Sequence, residues 1–420
     1  MGHQFKKISV IGLGYIGLPT AALFASRKIE VVGVDVNDAV VNTINRGEIH
    51  IVEPDLDMVV HATVREGYLR ATTTPEPADA FLIAVPTPFK GDNHQADLSY
   101  IEAASKAIAD VLVEGNLVIL ESTSPVGATE AMARWLAEAR PDLSFPQDAG
   151  EDSDIRVAHC PERVLPGKVM QELISNDRVI GGLTPRCSVL ASELYKSFVT
   201  GSCVMASGPR VAELAKLTEN SFRDVNIAFA NELSVISDEL DIDVWELIAL
   251  ANRHPRVKIL QPGVGVGGHC IAVDPWFIVS SAPETARLIR TARQVNDAKP
   301  EWVLEKVRSA VGTHLMGNPG KTAANVSIAL YGLAFKPDID DLRESPALKI
   351  ARAIAVEHVG ALLIAEPHIA ELPHGLETGR LAEIADCNRA DVHVMLVKHS
   401  AFLGMAPPEG AIVDACGAWN

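Results

Sequence analysis

The stretch Lys6–Pro19, KKISVIGLGYIGLP, decides the fold. A short apolar strand, Ile8–Gly14, runs into Gly12-x-Gly14-x-x-Gly17 and then into helix-forming residues. Glycines at this spacing permit a tight turn and let the backbone approach a pyrophosphate seated on the helix N-terminus. The next apolar run, EVVGVD (Glu30–Asp35), ends in an acid, Asp35. An acid at that distance hydrogen-bonds ribose hydroxyls and repels a 2′-phosphate, which predicts an NAD site rather than an NADP site. A glycine triplet alone is weak; strand, helix and acid together make it specific.

Reading outward, AFLIAVPTP (Ala80–Pro88) and NLVILEST (Asn116–Thr123) are further buried parallel strands. Amphipathic segments, Leu18–Ser26 and Leu98–Leu112, lie among them. This alternation predicts a doubly wound sheet, expected to continue through Arg156–Arg163, Arg178–Gly182 and Ser202–Ser207. From Ser207 to Leu240 the pattern becomes one long helix, with Leu214, Leu217, Val225, Phe229, Leu233, Ile236 and Leu240 at helical spacing. That stripe fits core packing and a dimer interface equally well. More helix is expected over Trp245–Asn252 and Ala282–Lys299. Beyond Asn325, Val326–Phe335, Gly360–Pro367, Asp391–His399 and Ala411–Ala415 read as strands, with Ser345–Ala355 helical. They predict a second α/β sheet without the glycine fingerprint. The expected fold is therefore α/β: two Rossmann-like doubly wound sheets joined by a long central helix and a helical middle domain. The expected domains are 1–206, 207–310 and 311–420.

A chain of 420 residues exceeds one ordinary core, and 48% hydrophobic with 22% charged residues is soluble globular composition. No apolar run reaches about 18 residues, and the first strand begins almost at once, so neither a membrane span nor a signal peptide is expected. With 54 acidic against 37 basic residues the net charge is −17, which argues against nucleic acid and anionic membrane as partners. Local arginines and lysines can still seat a phosphate. Six cysteines (Cys160, Cys187, Cys203, Cys270, Cys387, Cys416) are widely spaced with no CxxC pair. The spacing argues against a metal site or a disulfide framework and for a reducing cytoplasm.

The segment GVGVGGHCIAVDP (Gly263–Pro275) places Cys270 directly after a glycine run, with Asp274 four residues later. Glycines let the backbone approach a bulky ligand, and a thiolate there would meet it. The plain alternative is a small buried hydrophobe. Beside a dinucleotide site, however, a hydride acceptor plus a nucleophilic thiol is the equipment for oxidising an alcohol past the aldehyde to an acid. In open α/β sheets ligands sit at the C-terminal ends of strands, where Pro86-Thr87-Pro88, Ser122-Thr123-Ser124-Pro125, Thr129 and Glu162-Arg163 fall. Ser, Thr and Pro supply turns there in any case; the charged pair is harder to dismiss. On the long helix Lys216, Asn220 and Arg223 form one polar line roughly opposite Leu214. They are either a solvated face or groups that stabilise an alkoxide or oxyanion in a cleft. Arg253, His254, Arg256, Lys336 and Arg343 are cationic groups in proline- or glycine-marked loops that suit phosphates.

These blocks resemble the UDP-glucose/GDP-mannose dehydrogenase family along the whole chain: Gly12–Pro19, Val85–Pro88, Glu121–Gly127, Cys160–Lys168, Glu213–Leu233, Gly265–Pro275 and Tyr331–Ala347, in that order. The resemblance implies a four-electron, NAD-dependent oxidation of a sugar C6 alcohol to a carboxylate. Asn252–Gly263 and Val164–Val169 resemble most the branch acting on UDP-N-acetyl-D-mannosamine, with UDP-glucose or another UDP-N-acetylhexosamine left open. By the same resemblance Cys270 captures the aldehyde, and Lys216 is the acid/base or oxyanion group. Asn220 and Asp274 order water and substrate, and Glu162 is the hydrolytic base with Thr123 beside it. Gly12, Gly14, Tyr15, Ile16, Gly17, Asp35, Thr87, Thr129 and Arg343 are the residues implied to hold NAD. Arg163, Val164, Lys216, Asn220, Arg223, His254, Arg256, Gly267 and Lys336 are those implied to hold the nucleotide sugar. The third domain is implied to grip UDP, the long helix to pair two subunits, and the product to enter bacterial surface-polysaccharide synthesis. Cys416 departs from the pattern, standing where relatives often carry a basic residue after the last strand. Two rivals remain at this point. A two-electron β-hydroxyacid dehydrogenase needs a lysine but neither Cys270 nor a second sheet. A non-enzymatic NAD-binding scaffold leaves Cys270, Lys216 and Glu162 without a purpose.

Overall fold

Lys7–Ile11 lies inside an eight-stranded sheet, parallel to Glu30–Val34 on one side and to Ala80–Ile83 on the other. The full order is Cys203–Met205, Arg178–Gly182, Arg156–His159, Leu117–Leu120, Ala80–Ile83, Lys7–Ile11, Glu30–Val34, Leu69–Thr72. These strands are continuous apolar runs because both faces are covered. Ile8, Val10, Leu82, Leu117 and Ile119 belong to one core, while Ile11, Val32, Phe81, Ile83, Val118 and Leu120 belong to the core on the opposite face. One edge departs from the expected parallel pattern. Arg178–Gly182 runs antiparallel to Arg156–His159, and Cys203–Met205 is parallel to Arg178–Gly182.

The structure, a computed structural model, describes residues 5–91, 94–165, 167–268 and 270–419. By packing, the chain forms two units: Met1–Glu219 with Trp276–Ala282, and Asn220–Pro275 with Pro283–Asn420. The segment expected as a middle domain, 207–310, contributes residues to both. In the second unit a five-stranded parallel sheet has the order Gly379–Leu381, Leu362–Ala365, Ile328–Tyr331, Val392–Met395, Ala411–Asp414. Its core includes Ile328, Leu330, Ile364, Val392 and Val394, closed by the helix Pro346–Glu357. The fold is thus mixed α/β, with two large sheets of which the second repeats the strand order of the first at its centre, and a small antiparallel pair, Phe89–Lys90 with Gln95–Ala96. Among the described residues no helix is long and apolar enough to cross a membrane.

The expected helix over Ser207–Leu240 is Pro209–Glu239, and that over Trp245–Asn252 is Val244–Ala251. The helix expected over Ala282–Lys299 instead spans Arg287–Gly317 and runs through Pro300. A proline removes one backbone hydrogen bond and crowds the preceding turn, yet the buried Val303, Leu304 and Val307 carry the helix onward. Helix Pro209–Glu239 is polar where a soluble helix is usually apolar. Glu213, Lys216, Ser221, Asp224, Asn231, Ser234 and Ser237 are buried, while Phe222, Phe229, Ile236 and Leu240 are 70%, 53%, 41% and 63% exposed.

Candidate active site

The site is built first at the strand ends of the eight-stranded sheet. Gly12 has φ +91°, a conformation glycine adopts freely, and its N–H donates to Val34 O at 2.8 Å. A side chain at Gly17 would collide with the Gly12 carbonyl, which is why helix Gly17–Ser26 can start so close to the strand. Gly14, by contrast, faces open space. No side chain caps that helix, so its N-terminal dipole is presented to whatever occupies the space. Tyr15 and Ile16 are half-buried within the turn. Asp35 stands half-exposed at the end of the neighbouring strand, accepting from the N–H of Leu13 at 3.0 Å and of Asn37 at 2.9 Å. An open cradle at a helix N-terminus with a fixed acid one strand away fits NAD.

The loops after the next strands are tied to one another. The Thr87 hydroxyl donates to Thr123 O, and Ser122 Oγ donates to Val85 O at 2.7 Å. Thr87 and Thr123 are both half-buried there. Thr129 is tied back to the long helix. It is fully buried, and its N–H and hydroxyl both donate to Glu213 Oε1, at 2.8 and 2.6 Å. Glu213 also accepts from the N–H of Gly127 at 2.7 Å. Thr129 therefore secures the loop to the long helix.

Glu162 is 8% exposed, and one carboxylate oxygen is buried with no hydrogen-bond partner. Burial lifts its carboxyl to about 7, against the opposing positive charges of Lys216 and Arg178. A carboxylate poised there is a competent general base at neutral pH. Lys216, 7% exposed, lies among these groups, so it is not part of a solvated helix face. Behind Glu162 sits a buried cluster that local sequence pattern does not signal. Arg178 pairs with Glu121 at 3.4 Å and lies 4.7 Å over the Tyr195 ring, while the Tyr195 hydroxyl donates to Glu121 at 2.7 Å. The segment after Glu162 is held by another unsignalled acid, Glu53, which accepts from Gly167 N at 2.9 Å and Val169 N at 2.7 Å. Arg163 spends its guanidinium on Glu219, at 2.6 Å, and on the Asp177 carbonyl, and Val164 packs against the core.

The second unit carries Cys270, Asp274 and Asn220. The Cys270 carbonyl accepts from the N–H groups of Val273 and Asp274, at 3.0 and 2.8 Å, so the thiol residue opens the turn that leads into helix Asp274–Ser281. Burial pushes the thiol of Cys160 up to about 12, that of Cys387 up to about 11, and that of Cys416 higher still, which disfavours a thiolate at those three positions. Both ends of the Cys270 loop are fastened to the long helix. Asn231 accepts from Gly263 N at 2.8 Å, and Asn220 donates to the buried Asp274 carboxylate at 2.5 Å. Asn231 is itself set by Asn296, and Asn296 by Asp224, which pairs with the buried Arg293 at 2.6 Å. The buried polar face of the helix thus holds the loop in place.

The glycines of this loop also meet the protein's own chain. A side chain at Gly267 would lie 2.6 Å from Glu344 O and 2.7 Å from Phe335 Cβ, and one at Gly268 would lie 2.9 Å from the Phe335 ring. The close approach is to the protein's own 333–346 segment, so Gly267 is demanded by packing. Gly268 N donates to Arg343 O at 3.2 Å, joining the two loops. The Arg343 guanidinium pairs with Asp341 at 2.6 Å. Lys336 is half-buried on the same segment, whereas Arg223, His254 and Arg256 are exposed. Cys416 is half-buried beside Met395 O, as a small residue fitted there should be.

Residues 6–199, 210–298 and 329–419 match, in order, the NAD binding, central and UDP binding domains of the UDP-glucose/GDP-mannose dehydrogenase family. The chain is 65% identical to a UDP-N-acetyl-D-mannosamine dehydrogenase of Yersinia pestis, covering 99% of this chain and 100% of that one. It is 60% identical to an NDP-N-acetyl-D-galactosaminuronic acid dehydrogenase of Ralstonia nicotianae, covering 99% and 97%. Among solved structures it is similar to a UDP-D-ManNAc dehydrogenase of Pyrococcus horikoshii, with TM-score 0.85 and 37% identity over 98% of this chain and 96% of that one.

Proposed function

The chain belongs to the UDP-glucose/GDP-mannose dehydrogenase family, and from that premise we propose that it oxidises the C6 alcohol of UDP-N-acetyl-D-mannosamine to the carboxylate, with two NAD⁺ used per sugar. The near-full-length identity to the Yersinia pestis enzyme carries the choice of sugar. The Ralstonia nicotianae relative supports a second reading, the same chemistry on another N-acetylhexosamine. Rates with UDP-N-acetyl-D-mannosamine, -glucosamine and -galactosamine in parallel decide between them. Bound NAD accepts a hydride in each oxidation, and the Gly12–Gly17 turn with Asp35 is the seat for it. Lys216 takes the C6 hydroxyl proton or neutralises the charge on that oxygen as the alcohol is oxidised. The Cys270 thiolate adds to the resulting aldehyde as a thiohemiacetal, whose oxidation gives a thioester. Glu162 takes a proton from the attacking water, and the thioester cleaves to the carboxylate with return of the Cys270 thiol. Asn220 holds Asp274 to order substrate oxygens and water.

Glu162 gives this reading a pH signature. Its carboxyl is neutral below about 7 and a base above it. Thioester hydrolysis should therefore fall by about tenfold per pH unit below that point and level off above it. Glu162→Gln should flatten this limb in single-turnover hydrolysis. A limb that survives the substitution removes Glu162 from the base role.

We also propose a homodimer through the long helix. Its exposed Phe222, Phe229 and Ile236, continued by Leu240 just past its end, form an apolar stripe on a helix whose polar face is already buried, and a self-complementary stripe closes a two-fold dimer. Phe222→Glu with Phe229→Glu should shift the elution mass from dimer to monomer. An unchanged mass refutes this interface. We propose further that the enzyme works in the cytoplasm and supplies a uronate for surface polysaccharide, the setting that family membership suits.

A further inference from the structure

The second sheet echoes the first in detail. Both have a first strand running into Gly-Leu, at Gly12-Leu13 and Gly332-Leu333, with φ of +91° and +89° at the glycine. Each glycine N–H donates to the second strand, to Val34 O at 2.8 Å and Ala365 O at 2.9 Å. Each second strand is followed by an acid, Asp35 or Glu366, that accepts from the leucine N–H, at 3.0 and 2.6 Å. There the likeness ends. Asp35 is half-exposed beside the open space at Gly14. Glu366 is 5% exposed and fully occupied: it also accepts from Ala334 N at 3.2 Å, His368 N at 3.1 Å and His399 Nε2 at 3.1 Å. Its four hydrogen bonds all go to groups of the protein.

We infer that the acid of this second fold has passed from ligand contact to positioning, and that Glu366 with His399 sets the Gly332–Asp338 loop so that Lys336 meets the diphosphate of the nucleotide sugar. This rests on the reading that residues 329–419 take the UDP. His399 is fully buried, donating from Nε2 to Glu366 and accepting at Nδ1 from Asp338 N–H at 3.0 Å. Those two bonds require the neutral Nε2–H tautomer. Asp338 is fixed again by Ser400, whose N–H and hydroxyl donate to it at 2.7 and 2.6 Å. The loop is thus anchored at Leu333–Ala334 by the acid and at Asp338 by the histidine, with Lys336 between the anchors. Asp338, His368 and His399 bring ligand atoms within 4.8 Å of one another, but a metal there would have to break one of the two bonds that occupy both His399 nitrogens.

The test is a double-mutant cycle in the full-length enzyme, read by calorimetry with UDP and by steady-state kinetics. Glu366→Gln should raise the Kd for UDP and the KM for the nucleotide sugar about tenfold, with kcat and the KM for NAD holding. In a Lys336→Met background the same substitution should add little, because the group it positions is gone. His399→Gln, which keeps a donor for Glu366 but gives up the acceptor for Asp338, is read in the same way and serves if Glu366→Gln does not fold. Wild-type affinity for UDP in Glu366→Gln, or losses fully additive with Lys336→Met, overturns the proposal alone. No UDP binding by the wild type overturns the reading beneath it, and the proposal with it.

Discussion

Cys270→Ser forms no uronate and still binds NAD. The expectation follows from what a thiolate does that a hydroxyl cannot. An aldehyde released from the first oxidation has no hydride to give unless a nucleophile adds to it, and a serine hydroxyl is almost entirely protonated at neutral pH. Net acid formation should fall by roughly 10³-fold or more, the scale on which losing a covalent nucleophile acts. The proposed cofactor seat, the Gly12–Gly17 turn, lies in residues 6–199, which match the family's NAD binding domain, and Cys270 is not among them, so NAD affinity should hold. The buried thiols cannot substitute, since Cys160 and Cys387 are held at about 12 and about 11. Intact-mass spectrometry should show a sugar adduct on the native protein and none on Cys270→Ser. Full turnover by the variant would end the covalent mechanism.

Lys216→Ala lowers kcat by about 10²-fold or more, the usual effect of removing one group that stabilises charge in the transition state. A solvated lysine would give no such loss, and Lys216 is 7% exposed with its charge felt by Glu162. That coupling adds a second readout. Removing the positive charge leaves burial less opposed, so the Glu162 carboxyl should rise further and the acid limb of the hydrolysis profile should move to higher pH. Lys216→Arg, which keeps the charge but not the shape, should leave that limb near its native position while kcat still falls. A native rate in Lys216→Ala would reduce the residue to a structural one.

The first α/β half was legible because its signals are local. Gly12, Gly14 and Gly17 state a turn within six residues, and strands buried on both faces read as unbroken apolar runs. The reversed edge strand Arg178–Gly182 was not legible, since an apolar run carries no direction. Long-range polar pairs were equally silent. Nothing near Thr129 announces Glu213, and nothing near Gly263 announces Asn231. Periodicity marked Lys216 and Asn220 as one polar line, but it could not tell a buried polar face from a wet one. The structure decided that by burying Lys216 and Asp224 and exposing Phe222 and Phe229. Gly267 shows the same limit from another side: a glycine marks a close approach without saying what approaches.

The most direct test of the four-electron reading is the amount of NADH formed when a known quantity of UDP-N-acetyl-D-mannosamine is consumed to exhaustion, with UDP-glucose in a parallel reaction. Two NADH per mannosamine sugar, with UDP-glucose inert, is the predicted result. One NADH per sugar would mean that oxidation stops at the aldehyde, leaving Cys270 without its assigned step and contradicting the account.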